Sequence, residues 1–216
     1  MDILAAQISG KQITMRKYSV IVSDLGNVLL PFDYKFGVKK LELIESGLGN
    51  QFLEYLESNY DLHRKFERGD ISTEEFLKIM LTALENKVTE GEFLKIYSQI
   101  FTVNDGLVKL YTELAKKYRL VLMSNTNWIH YEYGWGKYDF LKIFDKMVLS
   151  YEIHAVKPEP EIFKAVENFT GCPPEEHIFI DDISEYAEAA KSRGWDAVQF
   201  ITNDQLVNDL KERGII

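Results

Sequence analysis

Cysteine is nearly absent from the sequence: Cys172 stands alone among 216 residues. No internal disulfide can form, and nothing points to the cross-linked framework of a small secreted domain. Long apolar runs are missing as well, and none approaches the roughly 20 residues a membrane-spanning helix needs. The N-terminus has no charged segment followed by an apolar stretch, so no signal peptide is read there and the cytoplasm is the expected compartment. Positive charge is in deficit. The formal net charge of −9 argues against an extended nucleic-acid surface and against attraction to anionic membranes. There is no internal repeat, no low-complexity tract, no Walker phosphate loop and no Gly-x-Ser-x-Gly elbow. Gly47-Leu48-Gly49 lies between helical stretches and follows no strand, which excludes a dinucleotide loop. His63, His130, His154 and His177 lack metal-ligand spacing and are read as structural or surface residues. Cys172 sits in the turn Gly171-Cys172-Pro173-Pro174 with no partner to activate it.

What is present is an ordinary globular balance, with 46% hydrophobic and 27% charged residues. The length suits one α/β domain carrying an inserted subdomain. Residues 1–14 read as an extension, and Met15 is a candidate alternative start. Residues 18–23 form a short β-rich apolar run ending at Asp24, read as a buried strand. Between about 35 and 103 the pattern turns helical: Phe52, Leu53 and Leu56 recur at helical spacing, as do Phe76, Leu77, Met80 and Leu84. Ser72-Thr73-Glu74-Glu75 supplies a helix start inside this stretch. From Asp105 onward helices and strands alternate, with strands expected near 120–123, 147–150, 178–180 and 197–200. Such alternation predicts a Rossmann-like parallel sheet covered by helices, with residues 15–34 and 104–216 as its α/β core and 35–103 as an all-helical insert.

The strands end in chemistry. Asp24, Ser124 and the pair Asp181-Asp182 follow three of them, and Lys157 follows the fourth within Lys157-Pro158-Glu159. Each has a bland reading: turn or cap for Asp24, loop for Ser124, solvated charge for Lys157, helix cap for the aspartate pair. The pair says more than the others, because adjacent carboxylates repel unless a cation intervenes. In an open parallel sheet, ligands bind at the carboxyl ends of the strands. If these strands are neighbours, all four features converge on one site. The aromatic group Trp128, Tyr131, Tyr133, Trp135 and Tyr138 reads as a packed loop, a pocket rim or a dimer patch.

In order and context, these motifs resemble those of the haloacid dehalogenase superfamily. Ser23-Asp24-Leu25-Gly26-Asn27-Val28-Leu29 looks like that family's nucleophile loop. Ser124-Asn125, Lys157-Pro158 and Asp181-Asp182 look like its second, third and fourth motifs. The helical insert falls where the subfamily with a helical cap carries its cap, and Phe66-Glu67-Arg68-Gly69-Asp70-Ile71-Ser72 also looks typical of it. The loop is most similar to that of sugar-1-phosphate phosphatases. The resemblance implies a Mg²⁺-dependent phosphomonoester hydrolase acting on a small phosphorylated metabolite, as a monomer or homodimer. Asp24 would be the nucleophile. Ser124, Asn125 and Lys157 would bind the phosphoryl group, and Arg68 the substrate from the cap. Asp24, the Gly26 carbonyl, Asp182 and Asp181 would form the metal set, with Asp182 preferred to Asp181 as direct ligand.

Two departures carry consequences. Most phosphatases of this family have a second Asp two residues after the nucleophile, as general acid and base; here that residue is Gly26. Substrates with good leaving groups are therefore expected to be favoured. Asp33 and the cap are the next places to seek a proton donor. Tyr186 stands where many relatives have Asn. The alternatives are a non-catalytic phosphate-ligand sensor, suggested by the missing acid, and a dehalogenase proper, against which Asp181-Asp182 and Gly26 both argue.

Overall fold

Residues at even and odd positions of the short apolar strands go to opposite sides of one sheet, as the two-residue period requires. The structure, a computed structural model, describes residues 17–216; the extension at 1–14 and the candidate start at Met15 lie outside them. The described residues begin with β1 (Val20–Ser23) and pass through five helices, α1 (Lys35–Ile44), α2 (Leu48–Ser58), α3 (Tyr60–Arg68), α4 (Thr73–Ala83) and α5 (Glu90–Ser98). The chain continues as α6 (Asp105–Leu114), β2 (Arg119–Ser124), a π-helix at His130–Trp135, a 3₁₀ turn at Asp139–Ile143, β3 (Lys146–Leu149), α7 (Ser150–Ile153) and α8 (Pro160–Thr170). A 3₁₀ turn at Pro174–Glu176 leads to β4 (His177–Asp181), α9 (Ser184–Ser192), β5 (Asp196–Gln199) and α10 (Asn203–Glu212).

The five strands are parallel in the order β3-β2-β1-β4-β5. This is the α/β sheet that the alternation predicts. Ile21, Leu120, Leu122, Ile178 and Ile180 pack on one face against Leu107 and Tyr111 of α6 and Leu206 and Leu210 of α10. Val20, Val22, Val121, Met123 and Phe179 pack on the other against Ile162, Phe163 and Val166 of α8 and Ala187 and Ala190 of α9. Each Val, Leu, Ile, Phe or Met among them, once buried, contributes about 1.5–3 kcal/mol. The order places β1 in the centre, where the chain switches from one half of the sheet to the other. Ser23 pairs with Leu122 on one side and Ile180 on the other, so β4 runs one residue and β2 two residues past the end of β1 at the same edge of the sheet.

Helices α1–α5 pack around their own apolar centre, which includes Leu41, Phe52, Phe66, Phe76, Met80, Phe93 and Tyr97. Phe66 and Phe76 stack with ring centroids 4.0 Å apart. Ser72 caps α4 by accepting the Glu75 N–H at 3.1 Å, as its position in the sequence predicts. Helix α3 stops at Gly69, which adopts φ 77°. A Cβ there would lie 2.5 Å from the Tyr151 carbonyl oxygen of α7. Gly69→Ala is accordingly expected to cost about 1–3 kcal/mol, read as a lowered denaturant midpoint. Among the described residues no helix is long and apolar enough to cross a membrane.

The segment after β2 departs from the sequence reading. The aromatic stretch 128–138 is not loop throughout: its central part is a π-helix. Trp135 is buried, whereas Trp128 and Tyr133 stay exposed at 42% and 50%.

Candidate active site

Four side chains from three sheet strands and the β3–α8 connection meet at the carboxyl edge. The backbone N–H of Asp24 still donates to the Ile180 carbonyl at 2.8 Å, so the residue leaves the sheet beside the end of β4. Lys157 is 1% exposed, Asp24 7% and Asp181 0%. A lysine that deep needs partners. Its Nζ donates to Asp24 Oδ1 at 2.6 Å and to Asp181 Oδ2 at 2.7 Å. Two carboxylates share one ammonium, which leaves a net negative charge in a poorly solvated place. Burial, with Asp181 adding and Lys157 opposing, pushes the Asp24 carboxyl up to about 7. Burial alone would pull the Lys157 ammonium down, but the two aspartates outweigh it and hold it above the usual lysine range.

The backbone of Lys157 is clamped as well. Asn125 Oδ1 accepts the Lys157 N–H at 2.7 Å, and Asn125 Nδ2 donates to the Lys157 carbonyl at 3.2 Å. Arg64, on α3, donates to the same carbonyl. Tyr186 takes part too. Its ring lies 5.2 Å from Lys157 Nζ, and its hydroxyl is 3.4 Å from Asn125 Nδ2 and 3.5 Å from an Arg64 nitrogen.

Asp181 and Asp182 are distinct. Asp181 Oδ2 is held by Lys157, while its Oδ1 accepts the Ile183 N–H at 2.9 Å. Asp182 is only half-buried and faces a cavity; Asn27 Nδ2 donates to its Oδ2 at 3.2 Å. One ligand oxygen from each of Asp24, Asp181 and Asp182 lies within 4.8 Å of the others. Burial, partly offset by Asn27, and the neighbouring Asp181 push the Asp182 carboxyl up. Clustered hard oxygens of like charge fit a divalent cation such as Mg²⁺. The Gly26 carbonyl accepts the Val28 N–H at 2.7 Å and keeps a second lone pair.

Two adjoining cavities open onto these groups. The polar one, about 210 Å³, is lined by Asp24, Asn27, Lys157 and Asp182 from the sheet side and by Arg64 and Glu67 from α3. The larger, about 340 Å³, is mostly aromatic and aliphatic, with Phe32, Tyr34, Leu53, Phe101 and Trp135 in its wall and Ser124 and Asn125 at its base. A small charged site beside a larger apolar one suits a phosphoryl group joined to an organic leaving group.

The structure thus brings together Asp24, Gly26, Asn125, Lys157, Asp181 and Asp182, with Ser124 beside Asn125 in the wall of the larger cavity. It does not bring Arg68 there. Arg68 pairs with Glu159, and with Asp70 at 3.5 Å, and lines neither cavity. The cationic side chain of α3 that reaches the site is Arg64, one helical turn earlier. Asp33 is exposed and accepts the Lys35 N–H at 2.9 Å, capping the approach to α1 outside the site. Of the histidines, His63 and His130 line the larger cavity; His130 is buried and stacked on Tyr97. His177 is structural, held between Thr170 Oγ1 and the Pro173 carbonyl. The signal for the missed residues lay in α3, where Tyr60, His63, Arg64 and Glu67 follow the 3.6-residue period on one face.

A family model for haloacid dehalogenase-like hydrolases matches residues 18–194. The chain belongs to this family. Among its relatives is a D-ribitol-5-phosphate phosphatase of Bacteroides thetaiotaomicron, 28% identical over 193 residues, which span 83% of this chain and 90% of the relative. A phosphorylated carbohydrates phosphatase of Thermotoga maritima is 28% identical over 160 residues, 70% of this chain and 72% of the relative. A haloacid dehalogenase family enzyme of Bacteroides thetaiotaomicron, solved in complex with magnesium and inorganic phosphate, is 27% identical. It superimposes with a TM-score of 0.74, over 86% of this chain and 96% of that one. The haloacid dehalogenase fold accounts for the central position of Asp24: β1 sits at the switch of the sheet, where ligands bind in open α/β folds.

Proposed function

We propose that this chain hydrolyses phosphate monoesters of small carbohydrates or polyols through an aspartyl-phosphate on Asp24, with Mg²⁺ as cofactor. The observation that carries the reading is the buried Asp24–Lys157–Asp181 cluster opening, with Asp182, onto a 210 Å³ polar cavity that adjoins a 340 Å³ one. Relatives named for phosphatase activity on D-ribitol 5-phosphate and on phosphorylated carbohydrates support the substrate class.

Phosphoryl transfer needs positioning and charge neutralisation more than covalent chemistry from the protein. Lys157 holds Asp24 by one oxygen, which leaves the other to attack phosphorus. The same ammonium offsets charge on the transferring group, and Ser124 and Asn125 hold its oxygens. Mg²⁺ would be held by Asp24, the Gly26 carbonyl and Asp182, where it would neutralise charge between the carboxylates and the phosphoryl oxygens. Asp181, with both oxygens engaged, orients Lys157. Helices α1–α5 serve as a cap that supplies the leaving-group wall and excludes water. The dehalogenase alternative has no use for a second, half-buried carboxylate at Asp182. The sensor alternative is answered by turnover.

Purified protein is to be tested on a panel of phosphate esters that includes ribitol 5-phosphate and sugar 1-phosphates, with Mg²⁺ and with excess chelator. Turnover that needs Mg²⁺ is expected. Absence of turnover across the panel would favour a phosphate sensor, and chloride release from a haloacid in chelator would favour the dehalogenase. Mg²⁺ should also raise the melting temperature, because it binds the folded cluster and relieves its repulsion. At a hundred times Kd the gain is about 2.7 kcal/mol. In Asp182→Ala that gain should shrink sharply while the metal-free melting temperature holds or rises; an undiminished gain would place the metal elsewhere.

A further inference from the structure

The group that gives a proton to the leaving oxygen must stand where the phosphorus–oxygen bond breaks. With phosphate in the polar cavity and the organic part in the larger one, that place is their junction. Six residues line both: Gly26, Phe32, Tyr60, His63, Glu67 and Asn125. Gly26 has no side chain to offer, and the room a side chain there would take is contested. A Cβ on Gly26 would lie 3.3 Å from the ring of Phe32. Among the six, the proton carriers are Tyr60, His63 and Glu67. Tyr60 is 61% exposed, whereas His63 and Glu67 are partly buried and touch each other.

These two stand four residues apart on α3, with His63 Nε2 3.3 Å from Glu67 Oε1. On the far side of the ring, Nδ1 lies 3.2 Å from the Tyr97 hydroxyl. That hydroxyl also receives a hydrogen bond from Asn127 Nδ2 at 3.3 Å. A hydroxyl turns its proton to suit, so Tyr97 holds the ring in place whether Nδ1 is protonated or bare. The ring is fixed, its outer nitrogen faces a carboxylate, and both open on the junction. That is the arrangement of a general acid and base.

We propose that the His63–Glu67 pair of α3 is the general acid and base of this reaction, in place of the carboxyl group that Gly26 lacks. The inference rests on the phosphatase reading above. In the first half-reaction an Asp24 oxygen bonds to phosphorus and the bond from phosphorus to the leaving oxygen breaks. The freed electron pair stays on that oxygen, which takes a proton from the Glu67 carboxyl, and the Nε2–H of His63 replaces that proton across the 3.3 Å contact. In the second half-reaction a water oxygen bonds to phosphorus, its proton returns through the Glu67 carboxylate to His63, and the Asp24–phosphorus bond breaks. One water is consumed, and one alcohol and one phosphate are released.

Gly26 alone predicts a steep dependence of rate on leaving-group acidity; a working pair at the junction predicts a shallow one. The test compares ribitol 5-phosphate with 4-nitrophenyl phosphate in the presence of Mg²⁺, for wild type, Glu67→Gln and His63→Gln, each first shown to melt cooperatively. The wild type should turn over both esters with similar kcat. Either variant should lower kcat/KM, which reports the first half-reaction, for ribitol 5-phosphate by about 10²–10³-fold, the usual contribution of a general acid, and kcat/KM for the nitrophenyl ester, whose leaving group needs no proton, by less than about tenfold. Two variants on the two partners keep the test open should one fail to fold. Equal losses on the two esters, or no loss on either, would overturn the pair as acid and base while leaving the phosphatase reading intact. Wild-type protein inert towards every phosphate ester would overturn both.

Discussion

Asp24→Asn is expected to lower kcat by at least about a thousandfold and to leave the folded protein intact. The amide keeps the shape of the carboxyl group but lacks the anionic oxygen that bonds to phosphorus. Its effect on stability has the opposite sign from most changes at a buried site. In the wild type two buried carboxylates share the Lys157 ammonium. Removing one charge leaves a neutral Lys157–Asp181 pair, so the metal-free melting temperature should hold or rise. Steady-state kinetics and a thermal melt on the same preparation check both halves. Residual activity above about one part in a thousand would argue against Asp24 as nucleophile.

Lys157→Met should do the reverse, harming stability and activity together. The methionine keeps the volume of the side chain but leaves Asp24 and Asp181 buried without a counter-ion. Breaking a buried pair in this way costs about 3–5 kcal/mol. The pH dependence of that cost has a definite sign. Asp24 is already pushed up to about 7 with the lysine in place, so it is a group whose folded value lies above its unfolded one. Stability from such a group is present at low pH and lost as pH rises. Without the lysine the same carboxyl sits higher still, so the gap between variant and wild type should narrow as the pH is lowered from about 8 to about 5. Denaturant melts across that range measure it. A constant gap would mean that lost packing, not unpaired charge, dominates. Mg²⁺ should recover part of the stability and little of the activity.

The strands and their polar ends were legible because a buried parallel strand must be apolar throughout. A Ser or Asp at the end of Val20–Ser23 or His177–Asp181 therefore stands out. What periodicity could not reveal was how the helices between β1 and β2 lie on the sheet. Arg64 and Arg68 occupy the same helix one turn apart, and only the docking of α3 decides that Arg64 reaches the Lys157 carbonyl while Arg68 turns to Glu159. The π-helix at His130–Trp135 escaped because its wider turn breaks the 3.6-residue pattern by which helices are found. His130 is buried there, stacked on Tyr97 with ring centroids 4.4 Å apart, and burial pulls its pKa down to about 3. Metal-ligand spacing could not have exposed an imidazole placed by packing.

The most direct test of the aspartyl-phosphate is to look for it. Wild-type protein is mixed with Mg²⁺ and an excess of its best phosphate ester, quenched in acid within the first turnovers, digested and analysed by mass spectrometry. The peptide that contains Asp24 should gain the mass of one phosphoryl group, and the gain should be absent in Asp24→Asn and in excess chelator. Turnover at full rate with no such adduct under any quench time, or an adduct on a different residue, would contradict Asp24 as the nucleophile.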